Sequence, residues 1–217
     1  MTTLDERPVR AGQAHKRVAI LAAARELFVQ SGVDRTSMDA VAARAGVSKR
    51  TVYDYYGDKR RLLLGVVEEA GERALETLRE HVAHRLGDAT PLREPAALER
   101  AFVDLASDLG DALLLSADHL AAVRLVTENE QRLPELDGHP LDEAQTRVLA
   151  DRLDDLTRAG LLDAPDPALA AEHFHALTTL RVLNEPSRRR ADRTHVLRIM
   201  TDGARAFVRA YAVRPGA

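Results

Sequence analysis

Four neighbouring residues, Lys49, Arg50, Thr51 and Tyr53, carry the side chains that best suit binding to a nucleic acid. A helix over this stretch would direct them outward to varying degrees. Ammonium, guanidinium and hydroxyl groups donate hydrogen bonds to phosphate oxygens, and an arginine can also donate two parallel hydrogen bonds to guanine O6 and N7. This chemistry requires that the surrounding elements present the four side chains to a groove of the duplex.

Residues 36–59 supply such a frame. Their sequence, TSMDAVAARAGVSKRTVYDYYGDK, predicts one short helix over residues 38–45 and a second over residues 49–55. Gly46 lies in the turn between them, where it permits a backbone angle that a side chain would penalise. The spacing is that of a helix-turn-helix, whose second helix enters the major groove of DNA.

A helix over residues 16–30 is expected to pack beneath this motif. Its apolar residues recur at helical spacing on one face, which comprises Val18, Leu21, Ala24, Leu27 and Phe28. Thr36 or Ser37 can cap the first helix of the motif, and Ser48 can cap the second. The three helices would form one small DNA-binding domain.

The sequence of this region resembles the DNA-binding domain of the TetR family of bacterial regulators, and it matches the family pattern at many positions. The resemblance covers residues 14–64, and its long Tyr-x-Tyr-Tyr-x-x-Lys extension makes it specific. The matching residues are Phe28, Gly32, Thr36, Ser37, Val41, Ala42, Ala45, Gly46, Val47, Ser48, Thr51, Val52, Tyr53, Tyr55, Tyr56, Lys59 and Leu62.

The resemblance implies a role for each matching residue. It assigns phosphate contacts to Thr36 or Ser37, Tyr53, Tyr56 and Lys59. It assigns base contacts to the first turn of the recognition helix, Ser48, Lys49, Arg50 and Thr51. The family often has a small residue at position 50, so Arg50 is a candidate base reader; a phosphate contact is the alternative. Asp54 would repel phosphate and is expected to pair with a neighbouring basic residue.

The rest of the chain also has helical patterns and no convincing strand pattern. We therefore predict an all-α protein of about nine helices, in which residues 1–14 form a disordered arm, residues 15–61 the DNA-binding domain and residues 62–217 a ligand-binding and dimerisation domain. A long helix that ends near Leu86 would connect the two domains. Its first turn contains Lys59, Arg60 and Arg61, which oppose the helix dipole unless nearby phosphates offset the cost.

Composition and charge agree with a DNA-binding protein. Residues 1–65 contain 12 basic and 7 acidic residues, a net charge of +5, whereas the remainder carries −8. A basic end of this kind suits a polyanionic partner, although ordinary variation in surface charge gives the same pattern. The chain has no cysteine, no apolar run long enough for a membrane span and no secretory signal, which favours the cytoplasm.

The segment from Arg124 to Leu136, RLVTENEQRLPEL, resembles the AefR-like subgroup of TetR carboxy-terminal domains. The resemblance implies that this domain binds a small-molecule effector. The candidate pocket residues are Phe102, His119, Arg124, Glu128, Phe174 and His175. His119, Arg124 and Glu128 lie about one turn apart on one face, and a solvated edge is the alternative for these three. His173 and His175 lie two positions apart and diverge on a helix, so neither a metal site nor a cofactor is expected.

Two apolar stripes near the carboxy terminus are candidates for a homodimer interface, as in the family. They contain Leu169, His173, Leu177 and Leu180, and Val196, Met200, Phe207 and Tyr211. Packing inside one chain is the alternative. A palindromic operator favours the dimer, because it requires two recognition helices about 34 Å apart or a multiple of that distance.

The predicted function is a transcriptional regulator, a repressor released from a palindromic duplex operator by a small molecule. A catalytic role is disfavoured because the chain has no nucleophile elbow, phosphate-binding loop or metal-ligand cluster. Two alternatives remain: a helical enzyme or ligand carrier with a vestigial DNA-binding head, and a nonspecific nucleoid-type binder.

Overall fold

The computed structural model describes residues 7–88, 90, 92–129, 133–136 and 140–213, and within these residues it contains helices and no β-strand. The α-helices are α1 Arg7–Ser31, α2 Met38–Ala45, α3 Lys49–Tyr56, α4 Lys59–Leu86, α5 Pro95–Leu109, α6 Ala117–Asn129, α7 Pro140–Arg158, α8 Pro167–His175, α9 Arg181–Leu183, α10 Ser187–Arg190 and α11 Arg193–Tyr211. Two π-helical segments, Gly110–Leu114 and Ala176–Leu180, continue α5 and α8. The predicted all-α fold is confirmed.

The amino-terminal segment differs from the predicted disordered arm. α1 begins at Arg7, so residues 7–14 are helical, while residues 1–6 lie outside the described residues. Pro8 does not prevent this helix, because a proline in the first turn removes no intrahelical hydrogen bond. Tyr55 donates a hydrogen bond from its hydroxyl to the carbonyl oxygen of Gln13 at 3.2 Å, which ties this part of α1 to α3.

The chain divides into two compact units. The first comprises residues 1–71 and 121–137, and the second comprises residues 72–120 and 138–217. This division differs from a single boundary at residue 61, since residues 121–137 belong with the amino-terminal helices. Leu125 and Leu133 account for the difference, because both are buried in the same apolar cluster as α1 to α4.

The core of the first unit lies where α1, α2, α3 and the start of α4 meet. Ile20, Leu21 and Phe28 of α1 are almost fully buried there, whereas Val18 is 57% exposed. Leu21, Ala24 and Phe28 therefore lie on the inward face of α1 as predicted, whereas Val18 does not and Ile20 joins that face instead. Val52 is fully buried and fixes α3 against this core.

The core of the second unit contains three phenylalanines in mutual contact. The ring centroid of Phe207 in α11 lies 5.3 Å from those of both Phe102 in α5 and Phe174 in α8. Val196 and Met200 are also fully buried on the same face of α11. Their burial within a single chain corrects the assignment of Val196, Met200 and Phe207 to a dimer interface, because these side chains have no surface left for a partner.

Gly203 allows α11 to pack closely against the π-helical segment Ala176–Leu180. A Cβ atom at this position would lie 2.1 Å from the carbonyl oxygen of Leu177 and 3.1 Å from Cγ2 of Thr178. The first distance is far below any van der Waals contact and involves backbone, so the crossing requires glycine. This crossing places α8 and its π-helical continuation beside α11.

Candidate nucleic-acid interface

The helix-turn-helix is held by two serine caps and one left-handed glycine. The backbone N–H of Ala40 donates to Ser37 Oγ at 3.1 Å, and that of Thr51 donates to Ser48 Oγ at 3.0 Å. Gly46 has a φ of 67°, a conformation that residues with a Cβ atom rarely adopt. The predicted caps and turn are confirmed, and they orient α3 with its first turn at the surface.

The outer face of α3 carries the predicted contact residues. The side chain of Arg50 is 91% exposed, and Tyr53 is 43% exposed. Ser48 and Lys49 are exposed as well, and Thr51 is half-buried with its hydroxyl 2.8 Å from Ser48 Oγ. Arg50 is therefore free of packing and can reach either a base edge or a phosphate.

Each of the two cations in the first turn of α3 has a carboxylate partner. Lys49 Nζ lies 2.8 Å from Asp39 Oδ1 in α2, and Arg50 Nε lies 3.7 Å from Asp54 Oδ2 in α3. The hydrogen bond to Asp39 raises the pKa of Lys49. The expected pairing of Asp54 with a neighbouring basic residue is confirmed, whereas the sequence pattern did not predict the role of Asp39.

Thr36 and Lys59 are engaged inside the protein. The buried Thr36 hydroxyl lies within hydrogen-bonding distance of the carbonyl oxygens of Gly32, at 2.9 Å, and Leu27, at 3.2 Å. Lys59 Nζ donates to the carbonyl oxygens of Asp34 and Thr36 at 2.9 and 3.0 Å. These bonds place the Thr36 hydroxyl away from phosphate, which corrects its expected role, and they use two of the three N–H donors of the half-buried Lys59, whose phosphate contact stays a prediction. They connect the end of α1, the loop before α2 and the start of α4, and Ser37 remains the exposed hydroxyl at that corner.

Tyr56 also departs from its expected role as a phosphate contact. Its hydroxyl oxygen is buried, and its ring lies where a Cβ atom on Gly65 of α4 would approach within 2.9 Å. Burial raises the pKa of the Tyr56 hydroxyl, and the nearby Arg17 acts in the opposite direction. Tyr56 therefore packs α3 onto α4 and leaves Tyr53 as the exposed tyrosine of the predicted pair.

The basic first turn of α4 is balanced by protein groups. Lys59 bonds to two carbonyl oxygens, and Arg60 Nη2 lies 2.5 Å from Glu135 Oε1. The Asp58 carboxylate caps the helix by accepting a hydrogen bond from the backbone N–H of Arg61 at 2.8 Å. Protein groups thus offset part of the helix-dipole cost through Lys59, Arg60 and the Asp58 cap, a role that the sequence pattern assigns to phosphates.

Comparison with known proteins agrees with this geometry. The model of bacterial regulatory proteins of the TetR family matches residues 20–66, and that of the AefR-like transcriptional repressor carboxy-terminal domain matches residues 104–213. The chain belongs to the TetR family. It is a TetR-family transcriptional regulator whose helix-turn-helix is built by α2 and α3.

Individual relatives support the same assignment. The chain is 30% identical over 131 residues to the HTH-type transcriptional activator FasR of Mycolicibacterium smegmatis, a match that spans 57% of this chain and 59% of FasR. The crystal structure of a TetR-family regulator from Mesorhizobium loti covers 93% of this chain and 98% of its own, with a TM-score of 0.78 and 26% identity. The flavonoid-responsive regulator FrrA covers 93% of this chain and 100% of its own, with a TM-score of 0.62 and 26% identity.

The candidate ligand residues of this TetR-family chain are not gathered at one described site. Phe102 and Phe174 are in ring contact in the core of the second unit, at 5.9 Å between centroids. His119 is half-buried there and His175 is exposed, whereas Arg124 and Glu128 form an exposed ion pair on α6 in the part assigned to the first unit. The assignment of these residues to an effector pocket stays a prediction.

An open groove that the sequence did not predict runs between α7 and α8. Its volume is about 630 Å³. Half of its lining residues are acidic, among them Glu143, Asp151, Asp154 and Glu172, and Arg147 is the basic member. The acidic residues fall on α7 and α8 at helical spacing, a pattern that is indistinguishable in sequence from an ordinary solvated face.

The predicted stripe on α8 and its π-helical continuation is largely exposed to solvent, whereas Val196, Met200 and Phe207 of the stripe on α11 are buried. Leu169, Leu177 and Leu180 are 45%, 37% and 43% exposed, and His173 is exposed between them. His173 Nδ1 lies 2.6 Å from the hydroxyl of Tyr211, whose ring stacks on Phe207 with 4.7 Å between centroids. The three leucines of the first predicted stripe are therefore largely exposed in one chain, while the bond to Tyr211 connects His173 to the core.

Within the described part of the chain, no group of three or more histidine and acidic side chains could hold a metal ion. The helices in that part also include none with the length and apolar character of a membrane span.

Proposed function

We propose that this TetR-family regulator binds a palindromic duplex operator as a homodimer and represses transcription until a small-molecule effector releases it. The main support for DNA binding is the Arg50 side chain, which is 91% exposed on the first turn of a serine-capped α3. A guanidinium in this position can donate to guanine O6 and N7 in the major groove. Ser37, Ser48, Lys49, Thr51 and Tyr53 supply further contacts to bases and phosphates.

The homodimer is supported by the exposed leucines of α8 and its π-helical continuation. Three large apolar side chains on one face, each more than a third exposed, are unusual unless another surface covers them. A twofold axis would place the same stripe of a second copy against this one, because dimers with twofold symmetry reuse one surface on both subunits. Leu169, His173, Leu177 and Leu180 would form that interface.

Control by an effector is supported by the family and by FrrA, which is described as flavonoid-responsive. The body would bind the small molecule and favour a spacing of the two recognition helices that does not match the operator. The coupling free energy for such systems is typically about 1–3 kcal/mol. FasR is an activator, so the sign of regulation differs among relatives, and repression is the version proposed here for this chain. The regulator would act in the cytoplasm without catalysing a reaction.

A mobility-shift experiment tests this function. The purified protein is titrated against duplex DNA from upstream of its own gene, against a scrambled duplex of equal length and against the corresponding single strand. We expect a slower band for the upstream duplex alone at low protein concentration, with an affinity that falls steeply as salt increases. Equal binding to the duplex and the single strand would contradict the proposal, and equal binding to all duplexes would favour a nucleoid-type binder.

Arg50→Ala is the informative variant in this assay. We expect it to lose about 1–3 kcal/mol of operator affinity and to relax the preference at one base pair. A phosphate contact would instead weaken binding to all duplexes equally. Full affinity with unaltered preference would exclude Arg50 from both roles.

A further inference from the structure

Two cations of α3 are each paired with a carboxylate on the proposed DNA-binding surface, one carboxylate from α2 and one from α3. Lys49 is held by both carboxylate oxygens of Asp39, at 2.8 and 3.1 Å, and Arg50 pairs with Asp54 at 3.7 Å. All four side chains are more than half exposed. The surface that would meet the phosphates therefore carries two positive and two negative charges.

Helix stability does not explain the charges on α3. Lys49 and Arg50 lie in the first turn of α3 and Asp54 lies in its last turn, so each opposes the helix dipole. A cation four residues before an anion is also the less favourable order for an ion pair within a helix. Exposed pairs of this kind contribute little to folding. Asp54 thus has another use on this surface, whereas Asp39, in the first turn of α2, also complements the dipole of that helix.

Their location indicates an effect on DNA binding. Attraction between a protein and an arbitrary duplex depends on the number of phosphates that the protein neutralises, and it carries no sequence information. A carboxylate beside each cation reduces that attraction. A matching base edge can still displace the carboxylate, because an exposed ion pair is weak and the base contact offers two directed hydrogen bonds.

We propose that Asp39 and Asp54 determine specificity by holding Lys49 and Arg50 in charge-compensated pairs, which suppresses binding to arbitrary duplex DNA more than binding to the operator. This inference rests on the proposed DNA-binding function and deepens it. It also explains how a helix with two adjacent cations avoids acting as a nonspecific binder.

The test uses Asp39→Asn and Asp54→Asn in the full chain. Each variant is titrated against the upstream duplex and against a scrambled duplex at several salt concentrations. We expect affinity for the scrambled duplex to rise about 10- to 100-fold per variant at about 0.1 M salt, as for one additional phosphate contact in each subunit of the dimer. The ratio of operator to scrambled affinity should fall, and the salt slope for the scrambled duplex should become steeper by about two.

Glu76→Gln is the matched control, because it removes one negative charge from an exposed ion pair with Arg79 in the second unit. Asp54→Glu, which keeps the charge, should retain the parental ratio. Equal scrambled-duplex affinity in Asp39→Asn, Asp54→Asn and Glu76→Gln would overturn the inference while leaving the regulator function intact. Absence of duplex binding by the parent protein would instead refute the function itself.

Discussion

The ammonium group of Lys59 donates a hydrogen bond to the backbone carbonyl oxygen of Thr36 at 3.0 Å. It also donates to the carbonyl oxygen of Asp34 at 2.9 Å. One side chain at the start of α4 therefore fixes the loop that leads into α2. Because α2 and α3 form one helix-turn-helix, this contact connects the long helix to the recognition helix by a path within the first unit.

Lys59→Gln should lower stability without removing a DNA contact. A hydrogen bond that involves a charged group contributes about 1.5–3 kcal/mol, and glutamine cannot replace both bonds. We expect the free energy of unfolding to fall by about 1–3 kcal/mol in urea titrations. The salt slope of operator binding should stay unchanged, because no phosphate contact is lost.

Arg61→Gln is the matched variant for that measurement, since Arg61 is exposed and lies in the same turn. It should change the free energy of unfolding by less than about 0.5 kcal/mol. The opposite result for Lys59→Gln, unchanged stability with a salt slope smaller by about two for the dimer, would support the phosphate contact inferred from the family.

The two tyrosines assigned to phosphate contacts should respond differently to loss of the hydroxyl. Tyr56→Phe should leave operator affinity within about twofold, because the Tyr56 hydroxyl is buried. Tyr53→Phe should lower it by about 2- to 10-fold, the effect of one hydrogen bond of about 0.5–1.5 kcal/mol. Fluorescence anisotropy with a labelled operator measures both variants, and each serves as the control for the other. A larger loss for Tyr56→Phe would contradict the buried position.

The local features of the recognition motif were predictable from sequence because they depend on near neighbours. The bounds of α2, the caps Ser37 and Ser48, and the turn at Gly46 all follow from residues within four positions of one another. The burial of Val52 follows from the same helical pattern.

The contacts of individual polar side chains were not predictable in this way. Lys59 and Thr36 are 23 residues apart, and Lys49 and Asp39 are 10 apart and lie on different helices. A helical pattern gives the face of a residue but not the partner that approaches it. The apolar face of α11 illustrates the same limit, because its periodicity is equally consistent with a dimer interface and with the core that contains Phe207.

Leu177→Glu should dissociate the proposed homodimer while the chain stays folded. Leu177 is 37% exposed in one chain, so a carboxylate there is solvated in the monomer. In a twofold interface the variant would bury two unpaired charges, and one such charge costs about 3–5 kcal/mol. We expect the dimer dissociation constant, measured by sedimentation equilibrium, to increase more than about 100-fold, with loss of operator binding.

Val18→Glu is the control for the dimer measurement. Val18 is 57% exposed on α1 and outside the proposed interface, so this variant adds the same charge without affecting association. A Leu177→Glu protein that remained dimeric would place the interface elsewhere. Monomeric parent protein at micromolar concentration would exclude the homodimer altogether.

His119 should make the stability of the second unit depend on pH below neutrality. Its half-buried side chain follows the α6 cap, in which Ser116 Oγ accepts a hydrogen bond from the His119 backbone N–H at 3.3 Å. Burial lowers the pKa of His119, so the folded chain favours the neutral ring, while the unfolded chain takes up a proton near the ordinary value of about 6.5. Below that pH the unfolded state binds more protons, so the free energy of unfolding falls as the pH decreases and levels off below the folded-state pKa. His119→Gln should therefore lose less stability than the parent between pH 7.5 and 5.5 in urea titrations, and identical losses in the two proteins would show that His119 does not contribute.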